Sequence, residues 1–166
     1  MKRFLLTIIL VTSIKLLVHA QDINLIKDYN KISSESELVS RLKGKKFFLD
    51  LWAPWCEPCK EEFKHSDTLF NELKKRDIVL LYVSLNFNVK EVDWKTDIST
   101  YNLKGFHVLA NKELENSLTK LIWGHPGGYS IPRYLLISST GKILLKDALS
   151  PDQGTKLYNQ IDNVIK

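Results

Sequence analysis

The chain has 166 residues, 44% of them hydrophobic and 26% charged, with a formal charge of +5. That size and balance suit one domain with a real core and exclude wholesale disorder. Beyond residue 20, 21 basic residues face 19 acidic ones, too even a count to support a nucleic-acid or membrane-surface partner.

Lys2 and Arg3 form a positive start, Phe4 to Ile14 is mostly apolar, and Val18-His19-Ala20 resembles a small-residue cleavage site before Gln21. This pattern predicts a signal peptide over residues 1–20 and a single domain over 21–166. The other reading is an uncleaved anchor. Lys15 interrupts the run well short of the roughly 20 apolar residues that a spanning helix needs, so no stable membrane span is expected after cleavage. Export leads to an oxidising compartment, where two cysteines form either a structural staple or a working redox couple.

Residues 21–33 read as a short edge strand or loop. A short helix follows, capped by Ser34 with Glu37 at capping-box spacing, burying Leu38, Val39 and Leu42 and stopping at Gly44. Phe47 to Trp52 is a buried strand, and Glu57 to about Lys75 reads as one helix carrying Phe63, Leu69, Phe70 and Leu73. The apolar run Ile78 to Leu85 fits a strand covered on both faces. A weaker helix is expected over Trp94–Leu103, ended by Gly105, then a strand over Phe106–Leu109 and a helix over Lys112–Trp123. After a Gly- and Pro-rich loop, Arg133–Ile137 and Lys142–Leu145 form a hairpin about Ser139-Thr140-Gly141. Ser150 caps the last helix, with Pro151 at its first position. This order predicts a three-layer α/β domain.

Both cysteines of the chain lie in Cys56-Glu57-Pro58-Cys59, where a buried strand runs into a helix. The exposed N–H groups and partial positive charge of a helix N-terminus favour thiolate over thiol. Cys56, at the cap, is assigned as the attacking thiol, and Cys59, one turn in, as the resolving thiol. Pro58 suits a first turn because its missing N–H has no helical partner there. Glu57 opposes the dipole beside the attacking sulfur.

Asp50, in the middle of an apolar strand, has two readings: a buried proton acceptor for Cys59, or a residue facing outward. Leu49 and Leu51 would take the opposite face from it, which favours the acceptor. Glu62, three residues after Cys59, is either a helper in proton transfer or an ordinary solvated side chain. Trp55 adjoins Cys56 and is a candidate for the substrate face. His65 reads as a surface or core histidine, while His125 lies in the loop that leads to Ile131-Pro132. His65, His107 and His125 lack the spacing of a zinc finger, so neither a metal nor a cofactor is expected.

The segment Asp50-Leu51-Trp52-Ala53-Pro54-Trp55-Cys56-Glu57-Pro58-Cys59-Lys60 resembles the active-site segment of the thioredoxin superfamily. Glu57-Pro58 and the run Lys60-Glu61-Glu62-Phe63 are most similar to the exported TlpA/ResA group. Ile131-Pro132, ahead of the hairpin, is a second matching element far down the chain. The resemblance implies a thioredoxin-like α/β/α fold with a central mixed sheet. It also implies a cis Pro132 facing the Cys pair, and an Ile131 backbone that hydrogen-bonds a bound substrate. Three features depart from the plainest pattern: the stretch 86–130 is longer than a minimal connection, Ser138 stands where aspartate is common, and Asp50 is more thioredoxin-like than ResA-like.

The implied activity is thiol–disulfide exchange without a cofactor, in the periplasm or another extracytoplasmic space. The expected partners are disulfide-containing envelope proteins and a membrane thiol reductant as electron donor. Glu57-Pro58 lacks the histidine of the strongly oxidising relatives, so the expected direction is reducing or isomerising. Two other readings stand beside it. One is a non-catalytic binding module with the Cys pair as a staple; the other is a thiol peroxidase, for which a Thr-x-x-Cys motif is missing.

Overall fold

The computed structural model describes residues 22–85, 88–127 and 130–165; the expected signal peptide lies outside them. Six strands form one mixed sheet: β1 (Ile23–Leu25), β2 (Lys46–Trp52), β3 (Ile78–Ser84), β4 (Gly105–Leu109), β5 (Arg133–Ile137) and β6 (Ile143–Leu145). Their spatial order is β1-β4-β3-β2-β5-β6. The first four run parallel, and β5 and β6 join antiparallel as a hairpin. Among the described residues the α-helices are α1 (Glu35–Arg41), α2 (Glu57–Glu62), α3 (Ser66–Lys75), α4 (Glu91–Thr100), α5 (Lys112–Trp123) and α6 (Thr155–Val164).

The period of two in the strands divides the core. Phe47, Leu49, Leu51, Leu81, Val83, Leu135 and Ile137 face one layer, which holds Leu38 and Leu42 of the α1 region and Leu114, Leu118 and Ile122 of α5. Phe48, Trp52, Leu80, Tyr82, Tyr134 and Leu136 face the other, against residues of α2, α3, α4 and α6. The expected α/β/α layering and mixed sheet are what the chain forms.

Local chemistry explains most of the boundaries. Ser34 caps α1 by accepting from the Glu37 N–H. The Glu37 carboxylate accepts in return from Ser33 N at 2.7 Å, one residue earlier than a strict capping box. Asn111 caps α5 through Leu114 N at 2.8 Å, and the helix stops at left-handed Gly124.

Three expectations change. The single helix predicted from Glu57 to Lys75 is interrupted by a 3-10 turn at Phe63–His65. The break falls where the Phe63 ring packs edge-on against Trp52 and Tyr82 and tilts against Tyr101. Helix α4 starts earlier than predicted, at Glu91, with Glu91 and Asp93 in its first turn, where acids suit the helix dipole. It closes before Gly105, which instead opens β4 at φ 141° because a Cβ there would meet the Leu80 carbonyl oxygen at 2.7 Å. Pro151 begins only a 3-10 turn, and Gly154 (φ 49°, ψ −118°) breaks the chain before α6 starts at Thr155.

Candidate active site

Strand β2 delivers the chain through Ala53, Pro54 and Trp55 to Cys56, which caps α2. Cys56 Sγ accepts from Cys59 N at 3.3 Å, and Pro58 occupies the first turn. The two cysteines are joined in a disulfide with Cα atoms 5.3 Å apart. Cys56 is 4% exposed and Cys59 1%. The exposure order is the one expected, although both sulfurs are well covered in this oxidised state. Trp55 is 46% exposed and, with Pro54, Lys60, Val89, Asp93 and Asp97, lines an open cleft of about 370 Å³ beside the pair.

A second element reaches this end of the sheet from far down the chain. Antiparallel pairing of Leu51 with Arg133 brings the exit of β2 and the entry of β5 to the same end of the sheet. The Ile131–Pro132 bond there is cis, as the resemblance implies, and both residues are half-buried.

Asp50 does not face outward. It is 2% exposed, and it lies on the sheet face that carries Trp52, Cys56 and Cys59. Burial pushes its carboxyl well above the ordinary value of 3.8, and the nearby Glu62 charge adds to the rise. Its Oδ1 has no hydrogen-bond partner among the described residues. In register beside it are Tyr82 on β3 and Tyr134 on β5, both buried, both with a hydroxyl that lacks a partner among the described residues. Tyr82 in turn pairs with His107 on β4, ring on ring at 5.0 Å and 4°. His107 Nε2 bonds the Leu103 carbonyl at 2.8 Å, and desolvation holds its imidazole down at about 4.

Glu62 is half-buried, and one oxygen accepts from Asp152 N at 3.0 Å. Desolvation raises its carboxyl, the Asp152 N–H works against that, and the Asp152 charge adds to the rise. Glu62 therefore pins the turn before α6 and also acts electrostatically on Asp50. His65 and His125 are both exposed. Among the described residues no group of His, Cys, Asp or Glu is arranged to hold a metal ion, and no helix is long and apolar enough to cross a membrane.

Sequence reasoning covered Tyr82 only within the apolar run Ile78 to Leu85 and Tyr134 only within the strand Arg133–Ile137; His107 entered only in the zinc-spacing argument. The usable signal was parity: Tyr82 and Tyr134 fall in phase with Asp50 only once the strand register is known.

Residues 18–146 match the AhpC/TSA family. The thiol-disulfide oxidoreductase ResA of a Bacillus cereus strain is 32% identical over 108 residues, which cover 63% of this chain and 56% of that protein. ResA of Bacillus subtilis is 38% identical over 47 residues, 28% of this chain and 26% of the relative. The chain thus spans about half the length of the first curated relatives it matches. Among solved structures, a thiol:disulfide interchange protein from Bacteroides sp. is 25% identical with a TM-score of 0.56, covering 75% of this chain and 76% of that one. The thioredoxin domain of a Bacteroides vulgatus thiol-disulfide oxidoreductase shares the fold, with a TM-score of 0.59 at 23% identity and coverage of 76% and 84%. With its disulfide at the strand-to-helix junction and a thioredoxin-like sheet behind it, the chain belongs to the AhpC/TSA family.

Proposed function

We propose that this chain is an exported thiol–disulfide oxidoreductase of the TlpA/ResA kind, which reduces or isomerises disulfides of envelope proteins through Cys56 and Cys59. The observation that carries the reading is the Cys56–Cys59 disulfide capping α2 at the end of the sheet where Ile131–Pro132 enters β5. A structural staple alone would not call for a buried acid on the same sheet face. The basic start and apolar run ahead of Gln21 support export.

In the reduced protein the Cys56 thiolate attacks one sulfur of a substrate disulfide. A Cys56–substrate bond forms, and the other substrate sulfur leaves with the electron pair and takes up a proton. Cys59 then gives its proton to the Asp50 carboxylate and attacks Cys56 Sγ. The mixed disulfide breaks, the second substrate sulfur leaves as a thiolate, and the Cys56–Cys59 bond closes. Two electrons have passed to the substrate, and a membrane thiol reductant restores the dithiol. Trp55 and the Ile131 backbone form the surface on which the substrate strand lies.

Insulin reduction tests this directly. Cys56→Ser abolishes turnover, and Cys59→Ser accumulates mixed disulfides whose partners identify the substrates. Full activity in Cys56→Ser would overturn the mechanism. A measured potential above about −150 mV, toward the −120 mV of strong oxidants, would overturn the reducing direction. Peroxide consumption at a rate exceeding disulfide exchange would instead support the peroxidase reading.

A further inference from the structure

The cleft beside the cysteine pair carries a charge that helix α4 has no use for. Asp93 and Asp97 stand one turn apart on α4 and line the cleft together with Trp55 and Lys60. Like charges at that spacing destabilise a helix. Asp97 also opens the last turn of α4, where an acid opposes the helix dipole. Among the described residues no salt bridge holds either carboxylate. The lysine of the cleft, Lys60, gives its Nζ to Glu57 at 3.2 Å, and Lys95 on α4 pairs with Glu91. Partial burial holds the Asp97 carboxyl above its ordinary value; the Lys60 ammonium lowers it, and the Asp93 and Glu57 charges raise it. Three acids thus act in this space against one lysine.

The position of the cleft gives that charge a use. Trp55, 46% exposed, directly precedes Cys56. A polypeptide whose cysteine reaches Cys56 therefore lays its neighbouring residues against Trp55 and the acids beyond it. Thr96 lines both this cleft and an outer groove along α4 that carries Val92, 64% exposed, so the path for a flanking chain continues past the acids. An exposed indole beside carboxylates without an ion pair matches one side chain above others. A guanidinium stacks on an aromatic ring and forks its N–H groups onto a carboxylate.

We propose that this cleft selects substrates: it receives an arginine close in sequence to the reactive cysteine of a disulfide-containing polypeptide, with Asp93 and Asp97 as specificity-determining residues and Trp55 as the ring on which the guanidinium stacks. The inference rests on the chain being the thiol–disulfide oxidoreductase proposed above. The bonds made and broken are those of the exchange already described; the cleft governs which disulfide reaches them.

The test uses the reduced full chain and synthetic peptides that each carry one cysteine as a mixed disulfide with thionitrobenzoate. Arginine or glutamate is placed in turn at each position flanking that cysteine. The Cys56 thiolate attacks the peptide sulfur, the thionitrobenzoate leaves as a coloured thiolate, and stopped-flow absorbance reads the rate. Dividing by the rate of a small thiol with the same peptide removes the peptide's intrinsic reactivity. At low salt the best arginine peptide is expected to exceed its glutamate counterpart by about tenfold, and the ratio falls as salt is added. Asp93→Asn combined with Asp97→Asn brings the ratio close to unity. Asp97→Lys reverses it, a gain of rate for the glutamate peptide that an unfolded variant does not produce. Trp55→Leu slows the arginine peptide about threefold more than the glutamate one. Equal normalised rates in the wild type at every arginine position, or an arginine preference that survives loss of both acids, overturn the inference. A wild-type protein that reacts with none of the peptides and does not reduce insulin overturns instead the oxidoreductase reading beneath it.

Discussion

The two faces of the sheet use the same strands in opposite ways. One face is wholly aliphatic and aromatic where β2 crosses it: Phe47, Leu49 and Leu51 meet Leu81, Val83, Leu135 and Ile137 under α1 and α5. The other face alternates the same spacing with Asp50, Tyr82, Tyr134 and His107. Adjacent residues of one strand thus alternate between apolar packing and a buried acid. Most buried polar atoms without a partner among the described residues, those of Asp50, Trp52, Tyr82, His107 and Tyr134 included, lie on the face that carries the cysteines, where their burial costs stability.

Four changes break or sharpen that contrast. Leu49→Ala, on the aliphatic face, is expected to cost about 2–5 kcal/mol in urea unfolding while leaving the pH profile of exchange unchanged; a changed profile would mean that the faces are not separable. His107 gives the next largest effect. Its imidazole lies at about 4 in the folded chain against an ordinary 6.5, so the unfolded chain binds more protons between these values. Stability from this group is present above 6.5 and is lost as pH falls toward 4, about 3 kcal/mol in all. Unfolding of wild type and His107→Gln at pH 7 and pH 4.5 measures it, and equal acid sensitivity in both would refute it.

Asp50 has the opposite sign. Its folded carboxyl is raised, so it penalises the folded state as pH climbs above 3.8 and ceases to do so below that value. Asp50→Asn is expected to stabilise the protein by about 1–3 kcal/mol at pH 7 while slowing resolution of the mixed disulfide. A variant that is both less stable and fully active would dissolve the trade. Smallest is Ser34→Ala, which removes the cap of α1 over the aliphatic face. It should cost about 0.5–1 kcal/mol, given the 3.4 Å Ser34–Glu37 bond, with no effect on thiol chemistry measured by alkylation.

Much of this was legible in the sequence where the cause is local. Helix α5 and strand β5 run over the residues predicted, because Asn111, Gly124 and the apolar run Tyr134 to Ile137 are signals carried by neighbours in the chain. The cysteines and Ile131-Pro132 were visible for the same reason. The break at Phe63–His65 was not, since a continuous helical period cannot reveal three aromatic rings waiting for Phe63 from other elements. The first turn of α4 was missed because Glu91 and Asp93 give no apolar signal. The polar row was the least legible part, since Tyr82, Asp50 and Tyr134 become neighbours only through strand register.

The Leu51–Arg133 pairing also has a consequence for how the protein comes into being. Strand β5 docks directly on central β2, yet it emerges from the ribosome long after the cysteines do. A chain that has released β2 and α2 but not yet the hairpin holds both cysteines without the strand that flanks β2 or the Ile131–Pro132 turn that leads into it. Until β5 has emerged, the strand that leads into Cys56 lacks one of its two neighbours, so the sheet behind the cysteine pair is completed only by residues far downstream of it.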